Sequence, residues 1–531
     1  MRVRVTRESK KMKRASIFLI IVFFTLSYLC LGKVNRERSE FNLSTSSPLE
    51  NAPPELVLAT TALGGFRGIV VDYLWLRALE LQRQGKYFEL VQIYDWIGKM
   101  EPRIEMVWCH NAWNMAYNIS VELGKPMERW MWIKRGIELL RDEGLKYNPK
   151  STLLYKELAW IYQHKIAQFS DEFQWEYKGY LAEEMERILG KGCSLLPEVA
   201  AVKKNKEELF SDKNVSALAR EMKKKGYDPF SEKYMRILKG YEKLPEPLEE
   251  ILDEKEYRKA KSVLDNFLRY RELTGRLKLD PEYMLELRKI YGPLDWRLAQ
   301  SHAIYWLAKG LKVIGEVRDA NFDRMILHSV ISLFETGRIL RTDAGFILSE
   351  PDFRFLDTVD CIYAGLEKKY GKDTGMASAH DNFLKSAIVL LYTYGRNKEA
   401  LKTYKKLRKI NPSYRMSLES FIFARIKDSI EGASPLKVSG LIRGLIRQSL
   451  MAFAVGDDEK SAGLENLAKL VWNKYTEECG GAERMKLPPF EEIRLSVIKK
   501  VLEGEFPELL RKRLNERFGI IEEKAAKVGS R

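Results

Sequence analysis

Residues 85–102 read GKYFELVQIYDWIGKMEP, and residues 395–412 read GRNKEALKTYKKLRKINP. Both stretches open with a glycine, carry a tyrosine near the middle and close with a proline, each at the same position. Between these ends the apolar residues recur at intervals of three and four, which is typical of one face of an amphipathic helix. Glycine favours the turn before such a helix, and proline commonly follows the end of one. Each stretch therefore predicts a turn, a helix and a stop.

The same pattern returns twice between these two stretches. Trp108 and Ala112 follow Pro102 by six and ten residues, and a similar group follows Pro149. The members of that second group are Tyr155, Leu158, Ala159 and Tyr162. From residue 55 onward we find helical periodicity throughout and no convincing alternation of the kind that strands produce. The sequence therefore predicts an all-α fold built from helix pairs.

These motifs resemble the tetratricopeptide repeat family, in which small residues lie where two paired helices cross and a proline ends each pair. The resemblance is strongest over residues 72–165 and 381–412, and segments 294–340 and 436–476 look like more divergent helix pairs. One departure is that 47 residues separate Pro102 from Pro149, where the family repeats after about 34. The helices or the turn of this repeat should then be longer. The resemblance implies an α-solenoid that holds other proteins.

The composition restricts the class of protein. The chain has 531 residues, 45% of them hydrophobic, with 18 prolines and 34 glycines, so an overall disordered or collagen-like class is excluded. Five cysteines in this length exclude a disulfide framework. The net charge is +16, but the first 41 residues carry ten Lys or Arg against three acids and account for +7 of it. The remaining +9 is mild for so long a body, and we predict no nucleic-acid partner.

Residues 15–32 read ASIFLIIVFFTLSYLCLG, an apolar run just long enough to cross a bilayer as a helix. No small-x-small pattern of a signal-peptidase site follows it, so we expect an uncleaved anchor. Seven Lys or Arg precede the run and three follow it within fifteen residues. The positive-inside rule then leaves the N-terminus in the cytoplasm. We expect a single-pass protein of the bacterial inner membrane with a periplasmic body.

The chain divides into six predicted segments. They are a basic tail (1–14), a transmembrane helix (15–32), a flexible linker rich in Ser, Asn and Pro (33–54), N-terminal repeats (55–190), a charged helical insert (191–285) and a C-terminal repeat domain (286–531).

The resemblance also implies which residues line the partner-binding face, because the family uses particular positions of the first helix of each pair. In the first repeat these are Asp72, Trp75, Gln82 and Arg83. In the second repeat they are Cys109, Trp113, Ala116 and Tyr117. In the late repeat they are Asn382, Lys385 and Tyr392. Trp75, Trp113 and Tyr117 are the expected anchors, since aromatic side chains dominate protein interfaces.

Asn111, Asn114 and Asn118 form a separate row of amides on one helix face. Some members of the family use asparagine rows to hold a peptide backbone. Here the register puts Asn111 where a leucine normally packs against the preceding helix, which favours hydrogen bonding between helices over ligand contact.

No phosphate-binding loop, zinc-protease motif, paired CxxC or GxSxG appears in the sequence. Cys109 and His110 are neighbours on a predicted helix and point in different directions, so they do not predict a nucleophile and its base. We therefore expect a non-catalytic scaffold that binds proteins, with no cofactor, metal or small-molecule substrate. The alternative is a helical enzyme acting on envelope glycans or peptidoglycan. Glu157, Glu183 and Glu184 are among its available carboxylates, but none is singled out.

Overall fold

The computed structural model describes residues 21–23, 25–27, 30, 32–33 and 36 near the N-terminus, and then residues 67–168, 171–315, 319–341, 347–371, 375–427, 435–479, 487–506 and 508–519. The predicted basic tail lies outside these residues, and so do most of the predicted anchor at 15–32 and of the linker at 33–54. Residues 21–23 are helical and their side chains are exposed. Among the helices described, none combines the length and the hydropathy that crossing a bilayer requires.

The described residues from 67 to 190 are mainly helical, and three of their helices continue into segments with the wider π-helical hydrogen bonding. In order they are α1 (Arg67–Arg83), α2 (Tyr87–Met100), α3 (Glu105–Trp113), π1 (Asn114–Ile119), α4 (Ser120–Glu122), α5 (Pro126–Glu138), π2 (Leu139–Gly144), α6 (Leu145–Tyr147), α7 (Thr152–Trp160), π3 (Ile161–Ile166) and α8 (Gln174–Leu189).

The middle of the chain consists of shorter helices after a 3₁₀ turn at Lys191–Cys193. They are α9 (Leu196–Ala200), α10 (Lys206–Phe210), α11 (Lys213–Lys224), α12 (Glu232–Leu238), α13 (Glu246–Asp253), α14 (Arg258–Arg271), π4 (Glu272–Leu277) and α15 (Pro281–Tyr291).

The last part returns to long helices, interrupted by one strand pair and a 3₁₀ turn at Phe353–Phe355. Its elements are α16 (Ala299–Ile314), α17 (Ala320–Thr336), β1 (Arg338–Arg341), β2 (Ile347–Glu350), α18 (Leu356–Tyr370), α19 (Met376–Thr393), α20 (Asn397–Ile410), α21 (Leu418–Lys427), α22 (Pro435–Ala454), α23 (Asp458–Cys479), α24 (Phe490–Lys500), π5 (Val501–Glu505), α25 (Glu508–Leu514) and π6 (Asn515–Gly519). The prediction of an all-α fold is confirmed, with this strand pair as a small addition.

The glycines that open the two quoted stretches end helices α1 and α19. Gly85 has a φ of +68° and Gly395 a φ of +73°, a region that only glycine adopts without strain. The N–H of Gly85 donates to the Gln82 carbonyl at 3.1 Å, and the N–H of Lys86 donates to the Leu81 carbonyl at 2.9 Å. Gly395 and Arg396 make the same pair of bonds at 3.0 and 2.8 Å. This is the Schellman end of a helix, and it turns the chain directly into α2 and α20.

Small residues and a tryptophan hold the second helix pair together. A Cβ on Gly136 would lie 2.9 Å from the carbonyl oxygen of Ala112, so α3 and α5 cross in close contact. The indole N–H of Trp108 donates to the Pro102 carbonyl at 2.9 Å. The tryptophan six residues after Pro102 thus has a direct physical role: it fixes α3 to the end of the first helix pair.

The interval of 47 residues between Pro102 and Pro149 consists mainly of two long helices. The first runs without a break from Glu105 to Glu122, and the second runs from Pro126 to Tyr147. Each contains one π-helical segment, which accommodates an additional residue per turn.

The helices pack in an order that skips the middle of the chain. Helix α2 packs on α3, α3 on α7, and α7 on α16 and onward to α17, α18, α19 and α23. The side-chain amide of Gln163 donates to the Met325 carbonyl at 3.0 Å, and Lys156 pairs with Asp319 at 3.0 Å. Residues near 160 and 320 are therefore neighbours, and the largest hydrophobic core runs continuously through both regions.

The intervening helices have a core of their own. Buried apolar residues from Leu209 to Leu268 form a separate cluster, contributed by α10 to α14. This cluster lies inside the charged region that the sequence distinguishes at 191–285, and the two ends of that region pack in the main core. After it, α16 lies beside α7.

Strands β1 and β2 pair antiparallel, with Arg338 opposite Glu350 and Arg341 opposite Ile347. Each strand has four residues, which is too short for alternation to stand out against the helical pattern. The pair connects α17 to α18, and the Asp352 N–H donates back to the Phe334 carbonyl at 3.0 Å.

Candidate protein-binding surface

The four predicted residues of α1 do not all have the same environment. Asp72, Gln82 and Arg83 are exposed, and Arg83 pairs with Glu80 on its own helix. Trp75 is half-buried and packs edge-on against Tyr94 at 5.6 Å and His110 at 6.1 Å between ring centroids. Trp75 therefore joins α1 to α2 and α3 and presents only part of its ring to solvent.

Trp113 and Tyr117 lie together, as the sequence predicts. Trp113 ends α3 and Tyr117 follows one turn later in π1; their rings stack at 5.6 Å with an interplanar angle of 24°. Trp113 is 42% exposed although it is a large apolar side chain. The other two predicted positions, Cys109 and Ala116, are buried, so the structure places them in the core and not on a binding surface.

Two residues that the sequence analysis did not single out extend this stack. The Tyr117 hydroxyl lies 3.2 Å from Nδ1 of His164, and the two rings are 5.7 Å apart. His164 in turn stacks on Trp160 at 4.8 Å and 10°. Trp160 is 38% exposed. We call Trp113, Tyr117, His164 and Trp160 the aromatic row; it joins the first helices of two successive pairs.

A signal for the missed residues is present in the sequence. Trp160 and His164 follow Trp113 and Tyr117 by 47 residues, the same interval that separates Pro149 from Pro102. Adding this interval to the positions of Trp113 and Tyr117 would have predicted Trp160 and His164.

The aromatic row is electrically neutral near pH 7. Burial raises the pKa of the Tyr117 hydroxyl, and Glu157 adds to the rise. Burial lowers the pKa of His164, and the neighbouring Lys165 lowers it further. The Tyr117 hydroxyl and Nδ1 of His164 share one hydrogen bond, and the ring nitrogen that carries the imidazole proton sets its direction. The ammonium of Lys165 lies 5.3 Å from the Tyr117 ring centroid, but it is directed to Asp171 at 2.6 Å.

The predicted residues of the late repeat belong to a different part of the surface. Lys385 pairs with Asp381 at 2.5 Å and also lies 5.7 Å from the Tyr414 ring centroid. Asn382 is exposed on the same helix, and Tyr392 is half-buried against the main core. In the part of the chain that the structure describes, these side chains take their contacts from α19 and its neighbours, and not from the aromatic row.

The asparagine row divides between two environments. Asn118 donates to the Asn114 side chain at 2.9 Å, and Asn114 donates to the Tyr87 carbonyl of α2 at 3.4 Å. These two amides thus bond within and between helices. Asn111 is 1% exposed, and its Oδ1 has no hydrogen-bond partner among the described residues.

The carboxylates considered for an enzyme lie in separate environments. Burial would raise the pKa of Glu184, but Lys134 and Arg276, each at 2.7 Å, outweigh it and lower that pKa. Glu183 pairs with Arg187. Burial raises the pKa of Glu157, which lies on α7. Cys109 is also buried, and burial raises the pKa of its thiol.

Neither a known protein family nor a curated protein nor a solved structure matches this chain.

Proposed function

We propose that this protein is a membrane-anchored scaffold of tetratricopeptide-like helix pairs, which binds partner proteins in a complex of the bacterial cell envelope and has no catalytic activity of its own. The helix pairs α1–α2, α3–α5 and α7–α8 would form the start of a solenoid that resumes at α16 beyond the insert. Support for this comes from the shared Schellman ends at Gly85 and Gly395 and from the packing of α3 on α7 and α7 on α16.

The aromatic row is the observation that carries the proposal. Trp113 and Trp160 lie at its two ends and remain partly exposed, while Tyr117 and His164 join them. Because stacked neighbours restrict these side chains, a partner that binds them loses little additional side-chain entropy. Tryptophan and tyrosine are also the residues most enriched at interface hot spots. An uncharged aromatic surface suits a partner segment with apolar or proline residues.

The binding test compares two variants in detergent extracts. The Trp113→Ala/Trp160→Ala double variant should recover at least ten-fold less partner protein than the wild-type chain does. Trp96→Ala is the matched control, since Trp96 is 44% exposed on α2 and lies outside the row. Equal recovery by all three chains, or recovery of no specific partner by the wild type, would contradict the proposal.

Membrane attachment rests on the apolar run at 15–32 and on the seven basic residues before it. A phosphatase that is active only after export, fused after Arg531, should be active, because the proposed topology places the body outside the cytoplasm. The same phosphatase fused after Arg14 should be inactive. The reverse pattern would contradict the proposed orientation.

A further inference from the structure

An open groove of about 510 Å³ lies between helices α2 and α5, with π1 and α3 beneath it. Phe88 and Trp132 contact each other edge-on across it, with ring centroids 5.4 Å apart. Val91 and Met115 provide further apolar lining. Two residues apart on a helix differ by about 200° in direction, so Asn111, which lines this groove, and Trp113 of the aromatic row face opposite sides of α3. The groove and the row are separate surfaces.

The groove contains a buried acceptor that has no donor. Asn111 lines it with 1% of its surface exposed, and its Oδ1 has no hydrogen-bond partner among the described residues. Leaving such an atom unsatisfied has a cost in folding free energy. A leucine would avoid this cost at a position where the repeat pattern ordinarily has one. The presence of an asparagine here is therefore explained if an N–H group of another molecule donates a hydrogen bond to Oδ1 of Asn111.

The charges around the groove favour a cationic donor. Among the described residues that line it, the carboxylates are Asp95, Glu138, Asp142 and Glu143, and Arg135 is cationic. Asp95 already pairs with Lys99 at 2.8 Å, and Asp142 already pairs with Arg141 at 2.5 Å. Arg135 lies 5.6 Å from the Trp132 ring centroid, at the aromatic end. Glu138 and Glu143 leave the rim with an excess of negative charge.

The shape favours a side chain carried by a polypeptide. The groove is open to solvent between two helices, and its volume exceeds what one aliphatic side chain needs. The Phe88–Trp132 contact at one end offers an apolar surface for a neighbouring residue of the same segment. Segments π1 and π2 both contribute to the lining, and π-helical turns are frequent at functional sites.

We propose that this groove receives a lysine or arginine side chain of a partner polypeptide, with its N–H donated to Asn111 Oδ1, its charge beside Glu138 and its aliphatic stem against Met115 and Trp132. The inference rests on the proposed function only in taking the occupant to be a polypeptide. It assigns a second contact surface, on the side of α3 away from the aromatic row.

The test is a selection of random nonapeptides displayed on phage against the full-length chain in detergent micelles. The wild type should enrich peptides with Lys or Arg beside an apolar residue. Asn111→Leu and Glu138→Gln should each reduce binding of an enriched peptide at least ten-fold. Glu250→Gln, which removes an exposed carboxylate of α13 outside the groove and outside the aromatic row, should leave binding unchanged.

A stability measurement separates this role from a structural one. Asn111→Leu should raise the apparent melting temperature, because it removes a buried unsatisfied oxygen. A lower melting temperature of Asn111→Leu than of the wild type would overturn the proposal, and so would enrichment of peptides that lack Lys and Arg. Binding of free n-butylamine as tight as that of the enriched peptide would also overturn it, because it would identify a site for small amines. The Trp113→Ala/Trp160→Ala variant should retain the basic peptides. The variants of the aromatic row therefore test the scaffold proposal, and the variants of the groove test the proposed lysine or arginine site.

Discussion

The hydroxyl of Tyr117 and Nδ1 of His164 are 3.2 Å apart, although 47 positions of sequence separate the two residues. This contact links π1 to π3 and sets two tryptophans at the ends of one continuous stack. This link makes one surface out of two helix pairs, and the proposed binding of a partner depends on that surface.

Acidification should weaken partner binding at the aromatic row. Burial lowers the pKa of His164, so the imidazole is neutral at pH 7 and gains a proton only below about pH 6.5. The imidazolium would bring a charge into an apolar surface, and its Nδ1 could only donate to Tyr117. Partner recovery should therefore fall between pH 7.5 and 5.5 in the wild type. In His164→Gln it should change little over the same range, and stronger recovery by the wild type at pH 5.5 would be inconsistent with this role.

The buried His302 should make the fold sensitive to acid. Its Nε2 lies 2.9 Å from the Trp296 carbonyl, and its ring stacks on Tyr162 at 5.0 Å. Burial lowers the pKa of His302 to about 4. Because this is below the unfolded value of about 6.5, the unfolded chain binds the proton more readily, and stability is lost as the pH falls from about 6.5 towards 4.

The measurement is the apparent unfolding midpoint in urea at pH 7.0 and 4.5. The midpoint of His302→Gln should change less between these two pH values than the midpoint of the wild type does, since glutamine does not titrate. His110→Gln, at an exposed histidine of α3, is the control and should retain the wild-type shift. An identical shift in all three chains would rule out His302 as the source.

The two helix-ending glycines should differ in their tolerance of alanine. Both have positive φ, but an added Cβ at Gly85 meets open space, whereas at Gly395 it would lie 2.8 Å from the Glu459 carbonyl oxygen. Gly85→Ala should then cost about 1 kcal/mol, from the backbone alone. Gly395→Ala should cost about 2–4 kcal/mol, because α23 must also move. Thermal unfolding of the two variants compares them directly, and equal losses would show that this close approach is absent.

The Lys165–Asp171 pair should be sensitive to removal of one partner. The two groups are 2.6 Å apart, and their side chains are only 2% and 1% exposed. Asp171 also accepts from the Tyr177 hydroxyl at 3.1 Å and from the Phe173 N–H at 3.0 Å, so it fixes π3 to the start of α8. Lys165→Met should destabilise the chain by about 3 kcal/mol, because it leaves the buried Asp171 carboxylate with only the longer contact to Arg129 at 3.4 Å. Lys99→Met is the control: it breaks a largely exposed pair with Asp95 and should cost less than about 1 kcal/mol.

Much of the fold could be predicted because its signals are local. Gly85, Gly395 and Pro102 mark turns whose backbone geometry depends on the residue type itself, and Trp108 contacts a carbonyl six residues away. The return of α16 to the side of α7 could not be predicted, because it depends on packing across the whole insert. The strand pair β1–β2 was too short to give a pattern.

The candidate site was predicted in part for the same reason. The stacking of Trp113 on Tyr117 follows from their spacing of one helical turn, and the extension to Trp160 and His164 needed the repeat interval to be applied once more. Cys109 and Ala116 are buried where the family's register implied a surface. The unpaired oxygen of Asn111 depends on the arrangement of three helices, which no local pattern contains.

Photo-crosslinking in intact cells tests the central claim most directly. A benzoylphenylalanine at position 160, in the aromatic row, should form an adduct with one defined partner protein, and Trp113→Ala should reduce the yield at least ten-fold. The same residue at position 96, which is similarly exposed on α2, should form no such adduct. Adducts of equal yield at both positions, or none at position 160, would contradict the assignment of the row as the partner-binding surface.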